Sequence, residues 1–245
     1  MNLSELQEEA GRLLADANHS RWSTDVLTLR LNQAQKEVQG YTNAVKTSES
    51  LTPVAGVSTL SLNSNTMDIV RSVITRTNGD VVPFIGISYF ELETKYPNWK
   101  QWAPGEPKLW WYSATTQELN LVPVPDSNNA ITNGITVWGS RVPEDMSNST
   151  DLPFDSNNQM IPFHMAIVHW TVSQCWMDDG TPESLGKAKF HKSGDISKPG
   201  QYELQLKRLM EKFDAPENIG NQITFIPEGG RIGFWGTPSK SFPLG

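Results

Sequence analysis

Apolar residues recur every three or four positions at the start of the chain. Leu3, Leu6, Ala10, Leu13, Leu14 and Ala17 form one stripe, which predicts a first helix over residues 3–17. Asn2 is a candidate N-cap, and Ser4 with Gln7 a candidate capping box. After the turn Asn18-His19-Ser20-Arg21, Ser23 is a natural cap with Asp25 in the first turn, and Trp22 with Leu27 has the spacing of a hydrophobic staple. Leu27, Leu31, Ala34, Val38, Tyr41 and Val45 then predict a second helix of about five turns, antiparallel to the first. The period changes between Ser48 and Asp155. Val57–Leu62 and Asp68–Thr77 are rich in β-branched residues, and Asn78-Gly79 before Asp80-Val81-Val82 marks a hairpin. Ser88–Tyr96 reads as a short helix, and Lys108–Tyr112, Leu119–Val122 and Ile135–Gly139 as strands. Five or six strands in this region predict a small antiparallel sheet or sandwich. Glu144–Asn158 is polar and reads as a return linker.

The chain is organised around Pro162–Met177. Phe163, Met165, Ala166, Ile167, Val168, Trp170, Val172, Cys175, Trp176 and Met177 leave no wide polar face, so this helix is expected to be buried all round, with Gly180 as its left-handed cap. At ~1.5 Å per residue it is roughly 24 Å long, enough to support several other helices. Thr181-Pro182-Glu183 opens a further helix to about Lys192. Ser193–Gly200 breaks the pattern, and Tyr202, Leu206, Leu209 and Phe213 restore it until Pro216. The expected fold is α+β: a bundle of four to five helices, an inserted small antiparallel β-domain and a long extended carboxy-terminal tail. Its divisions are 1–47 for a helical hairpin, 48–158 for the β-rich insertion, 159–214 for the helices completing the bundle, and 215–245 for the tail.

The composition of the 245 residues, 37 % hydrophobic with 16 prolines and 18 glycines, fits a proper core joined by long irregular stretches. Cys175 is the only cysteine and falls inside the central helix, which excludes an intrachain disulfide and predicts a small core residue. Met1–Glu9 is polar and acidic, unlike a signal peptide, and no run of ~18 apolar residues offers a membrane span; a soluble product made in the cytoplasm is expected. A net charge of −7 argues against wrapping nucleic acid with the whole surface. A local basic stretch remains, in which Lys187, Lys189, Lys192, Lys198, Lys207, Arg208 and Lys212 face Asp195, Glu203 and Glu211. Its net charge is +4, leaving −11 for the rest of the chain. A solvated helical face is the default reading, and contact with an acidic neighbouring subunit or with passing DNA the alternative.

Candidate chemistry is sparse. Five of nine tryptophans, Trp99, Trp102, Trp110, Trp111 and Trp138, lie in the strand-rich region near Glu91, Glu93 and Glu106, the raw material of a sugar platform or a glycosidase. Core and edge packing is the plainer reading, and adjacent Trp110 and Trp111 face opposite sides of a strand. His164 and His169, five residues apart, stand about 140° apart around a helix and do not share a ligand face. No phosphate loop, dinucleotide fingerprint, nucleophile elbow or Cys-x-x-Cys pair occurs. No catalytic residue, cofactor or metal is expected. The tail spaces large apolar anchors among breakers: Ile223, Phe225, Ile226, Ile232, Phe234, Trp235, Phe242 and Leu244. Such a segment docks either on its own domain or on another subunit, and its length without a fold of its own favours the second.

Three stretches carry a resemblance. The first is Leu13-Leu14-x-Asp16 with Arg21-Trp22-Ser23 and Leu31-Asn32-x-Ala34-Gln35. The second is Gly105-x-Pro107-x-x-Trp110-Trp111-Tyr112 leading to Leu119-x-Leu121-x-Pro123-x-Pro125-Asp126. The third is Ile161-Pro162-Phe163 followed by Lys187-Ala188-Lys189-Phe190. In this order they resemble the head-to-tail adaptor, or connector, proteins of tailed bacteriophages of the podovirus type. The resemblance implies a structural virion protein of the neck, a ring usually of twelve copies beneath the portal. That ring would extend the DNA channel for genome ejection without sequence-specific binding, and give tail, nozzle or tail fibre proteins a platform. It implies no membrane partner. By the same resemblance the tail binds portal, through Phe225, Ile226, Arg231, Ile232, Phe234, Trp235, Phe242 and Leu244. Two readings of other classes stand beside it: a carbohydrate-binding or hydrolysing tail component using the tryptophans, and a DNA-binding packaging accessory using the basic stretch.

Overall fold

A computed structural model describes residues 1–156, 158–194 and 199–213. Among the described residues six α-helices and eight strands make a mixed α+β fold: α1 (Leu3–Leu13), α2 (Thr24–Thr42), β1 (Lys46–Leu51), β2 (Thr59–Ser61), β3 (Thr66–Thr75), β4 (Val81–Pro83), β5 (Ile85–Gly86), α3 (Tyr89–Lys95), β6 (Leu109–Ser113), β7 (Glu118–Val122), β8 (Ile135–Arg141), α4 (His164–Asp179), α5 (Pro182–His191) and α6 (Gln201–Phe213). One sheet has the order β1-β8-β3-β4 and the other β2-β7-β6-β5. The described residues divide into two compact units, one of 1–48, 64–70 and 138 onward, the other of 49–63 and 71–137.

In the helical unit, Leu3, Leu6 and Ala10 of α1, Leu27, Leu31, Ala34 and Val38 of α2, Ala188 of α5, and Tyr202 and Leu209 of α6 share one apolar core with α4. The expectation of an all-round buried central helix holds for Ala166, Ile167, Val168, Trp170, Val172, Cys175 and Trp176; Met177, near its end, is 46 % exposed. Gly180 caps it at φ +69°. The helix starts at His164 rather than Pro162, because Asn158–Phe163 forms a 3₁₀ turn that holds the proline. Asn2 makes the first capping box, accepting from the Glu5 amide while Glu5 accepts from its own, so the alternative pair Ser4 and Gln7 is not used. Asn43 at φ +46° ends α2, which leaves Val45 outside the helix; Tyr41, assigned to the apolar seam, is 54 % exposed. Ser23 and Thr181 cap α2 and α5 as expected.

The second unit departs further from expectation. Two strands arise from sequences without an alternating apolar pattern: β1, Lys-Thr-Ser-Glu-Ser-Leu, and the two-residue β5. The expectation of an antiparallel sheet fails at β5, which pairs parallel to β6, whereas β2–β7, β6–β7 and β3–β4 are antiparallel. The β3–β4 hairpin closes through Thr77-Asn78-Gly79. Gly79 donates to the Arg76 carbonyl and takes φ +85°, and Arg76 donates to the Asp80 carbonyl, giving a type I turn with a glycine bulge instead of a two-residue turn. No helix among the described residues is long and apolar enough to cross a membrane.

Candidate functional site

The most constrained polar structure lies on α2. Asn32, Gln35 and Gln39, spaced three and four apart, form an amide stripe beside the Leu27-Leu31-Ala34-Val38 seam, and Gln35 and Gln39 are fully buried. Asn32 exchanges two bonds with the Met146 backbone, at 3.0 and 2.9 Å. Gln35 donates to the Glu144 carbonyl at 2.8 Å and to the Asn32 amide oxygen at 3.1 Å, and accepts from the Phe154 N–H at 3.1 Å. Gln39 accepts from the Val45 N–H at 2.9 Å and donates to the carbonyls of Val45 and Arg141. Glu144–Asn158 is therefore no loose linker over its described residues: α2 pins it by backbone bonds, and it buries Met146 and Phe154. Phe154 and Asp155 hold φ of +56° and +54°, a left-handed conformation costly for such side chains. The Gln35 bond and the Asp155–Arg141 ion pair at 3.0 Å keep it in place.

A second anchor joins α1 to α2. The Asp16 carboxylate accepts from the N–H groups of Trp22, Arg21 and Ser20 and from the Ser20 hydroxyl, which holds its carboxyl down at about 2, the Trp22 bond contributing most. Asp16 and Trp22, and Asn32 and Gln35, are four of the six polar and aromatic residues quoted for the first stretch, with Arg21 and Ser23. Their spacing thus reflects the making of a rigid helical hairpin with the return segment clasped to it.

The basic residues fall into two kinds. Lys187 pairs with Glu183 at 2.7 Å and stands 4.6 Å over the Trp176 ring, while Lys192 lies 5.8 Å from the Trp170 ring. Lys189, Lys207 and Arg208 are exposed. Glu203, Lys207 and Glu211 recur every four residues along α6, so acids alternate with the base on one face. Such a face is a poor match for phosphate. Lys198 and Asp195 lie outside the described residues, as do Phe225, Ile226, Arg231, Ile232, Phe234, Trp235, Phe242 and Leu244.

In the other unit the aromatic side chains gather around α3. Tyr89 meets Trp111 edge-on at 5.0 Å, Tyr96 meets Trp102 at 5.6 Å, and Lys100 lies 5.2 Å from the Trp99 ring. Trp110 and Trp111 do face opposite sides: Trp110 is buried and donates to the Phe84 carbonyl at 3.0 Å, whereas Trp111 is half-buried. Trp138 of β8 falls instead in the first unit, where it is 37 % exposed. The carboxylates are engaged: Glu91 with Lys95, Glu106 with Arg76 at 2.6 Å, and Glu93 with Lys100 at 2.9 Å. Lys100, then Tyr89, holds the Glu93 carboxyl below its ordinary value, the opposite of what a glycosidase acid requires.

The histidines act separately, as their spacing predicts. His164 lies 2.8 Å from the Met1 amino nitrogen, and His169 pairs instead with His191 of α5, Nδ1 to Nδ1 at 3.0 Å with stacked rings. No local signal in the sequence points to that 22-residue pairing. Burial, then His169, pushes His191 down to about 4. Cys175 is buried and free, its thiol pushed up to about 12 chiefly by burial, which suits a core residue and not a nucleophile. Among the described residues no group of three or more His, Cys, Asp or Glu is placed to hold a metal ion.

The described geometry is that of a scaffold: braced helices, paired charges and an aromatic surface. Comparison with known families agrees with that reading. The family described as SU10 adaptor protein matches residues 1–194, from α1 to the end of α5. No curated protein matches the chain.

Proposed function

The chain belongs to the SU10 adaptor protein family, phage head-to-tail adaptor proteins and so structural components of the virion, and from that premise we propose that it forms a ring, of twelve copies, beneath the portal. In this reading the ring sits in the neck, lengthens the channel for genomic DNA and carries the tail or nozzle proteins. Its role is structural, without catalysis, cofactor or membrane, and it assembles from protein made in the host cytoplasm. The observation that carries the reading is the family match over residues 1–194. The clasped hairpin supports it as well, since a ring under the pressure of packaged DNA needs protomers that do not deform. Among the described residues its basic stretch gives no concentrated phosphate-binding face, which supports DNA that passes and does not stick.

Residues 215–245 are the proposed portal-binding element. Phe225, Ile226, Phe234 and Trp235 are its anchors in grooves between portal subunits, with Ile232, Phe242 and Leu244 beside them and Arg231 pairing an acid there. Burial of each large apolar anchor contributes about 1.5–3 kcal/mol before ordering costs, and the ring multiplies the sum. Deleting residues 216–245 tests the assignment in a pull-down with the phage's portal ring. The truncated chain is expected to keep its helical circular dichroism and lose portal binding; retained binding rejects the assignment.

A further inference from the structure

The outer face of α5 is unlike a solvated helix. Ser184, Ala188 and His191 point into the protein. At ~100° per residue the opposite arc carries Leu185, Gly186, Lys189 and Phe190. Leu185 is 43 % and Phe190 58 % exposed, and Lys189 has no ion-pair partner among the described residues. Gly186 lies mid-helix, where glycine is unfavourable, yet no atom lies within 4 Å of where a Cβ would stand, so nothing in the described chain calls for its small size.

A matching surface lies on α2. Asp25, Val26 and Leu29 share its outward face over the first two turns, with Val26 36 % and Leu29 56 % exposed. Glu8 of α1 is exposed and follows Gln7, whose amide donates to the Thr24 carbonyl and the Thr28 hydroxyl, which sets this turn of α1 beside the first turn of α2. Neither Asp25 nor Glu8 has an ion-pair partner among the described residues. One surface is thus an exposed apolar pair with an unpaired base, and the other an exposed apolar pair with unpaired acids.

We propose that the Leu185-Gly186-Lys189-Phe190 face of one copy packs against the Asp25-Val26-Leu29 face of a second copy, with Lys189 set against Asp25 and Glu8. The charges select this pairing over the symmetric ones: α5 on α5 opposes Lys189 to itself, and α2 on α2 opposes Asp25 to itself. Contact between two different faces is heterologous, the kind of contact from which a ring is built when the rotation between copies closes. Gly186 then admits the close approach of the neighbouring helix. The proposal rests on the ring reading and names the surfaces that build it.

The test uses the full chain assembled on its portal ring. Leu29→Cys and Phe190→Cys are combined in one chain, Cys175 being buried and inert. Oxidation is expected to give a ladder of cross-linked species extending beyond dimer, while each single variant, with no cysteine facing it across this contact, stays monomeric; a dimer from a single variant would report a symmetric contact and overturn the proposal. In parallel, Lys189→Glu and Asp25→Lys are each expected to reduce assembly about tenfold and the pair to restore most of it; all are exposed positions, and circular dichroism checks that the variants fold. A wild-type ring with no ladder and no response to charge reversal overturns this interface and leaves the ring reading intact. Absence of any wild-type ring overturns the ring reading and this inference with it.

Discussion

Replacing Gln35 by leucine removes the centre of the clasp on residues 144–154 while keeping side-chain volume and helix propensity. Gln35 is fully buried, and its loss strands two backbone groups, the Glu144 carbonyl and the Phe154 N–H, and takes a donor from Asn32. Each buried, unpaired backbone group costs about 1–3 kcal/mol, so the substitution is expected to cost about 4 kcal/mol. The segment is poised to respond, because Phe154 and Asp155 already hold left-handed dihedrals costing about 1–2 kcal/mol each. Urea unfolding should show the loss directly, and a thermal scan a fall in Tm of about 8–16 °C. Hydrogen exchange should rise first in peptides spanning 144–156, not in α4. Gln33→Ala is the control: Gln33 is exposed and its side chain bonds only to Arg30 among the described residues, so a change within about 0.5 kcal/mol is expected. A Gln35→Leu protein within about 1 kcal/mol of wild type, with unchanged exchange, would refute the claim that the amides hold the return segment.

Three further outcomes follow. Since burial lowers the folded pKa of His191 to about 4 against an ordinary 6.5, the unfolded chain takes up protons first on acidification. The stability this neutral histidine supplies, about 2 kcal/mol after screening, is then complete above pH 6.5 and lost as pH falls towards 4. Burial drives His164 the same way, so His191→Gln should flatten the pH dependence of urea midpoints only in part. Trp110→Ala should destabilise by about 3–5 kcal/mol, because it empties a buried site and removes one of two donors to the Phe84 carbonyl, which keeps the Ser72 hydroxyl, whereas Trp102→Ala should cost under about 1.5 kcal/mol; equal losses would contradict the assigned faces. Wild-type protein on a glycan array should show no binding that Trp99→Ala or Trp102→Ala abolishes; such binding would favour the carbohydrate reading.

What the sequence made legible was local. The helix caps at Asn2, Ser23, Thr181 and Gly180 could be read because a cap is written within four residues of the helix it ends. The all-apolar character of α4 likewise follows from its own composition. What stayed hidden depends on partners far along the chain. The polar strand β1 has no alternating signal, and a two-residue strand such as β5 has no pattern at all. Asn32 and Gln35 look like ordinary surface amides until residues 144–154, more than 100 positions away, come to lie on them. Glu144–Asn158 reads as a linker for the same reason: backbone groups of Glu144, Met146 and Phe154, which carry no sequence signature, satisfy the buried amides, and only Met146 and Phe154 hint at burial. The candidate basic face was legible as a charge count but not as a surface, since helical phase and pairing decide which lysines remain free. Lys187 and Lys192 are held over tryptophan rings, and Lys189 is left on an apolar face.

The measurement that tests the adaptor account most directly is native mass spectrometry and electron microscopy of the purified chain, alone and mixed with its phage's portal ring. The account predicts a complex in which twelve copies sit as a ring on one face of the portal around an open channel. A chain that stays unassociated in the presence of intact portal, or binds it without ring symmetry, would contradict it.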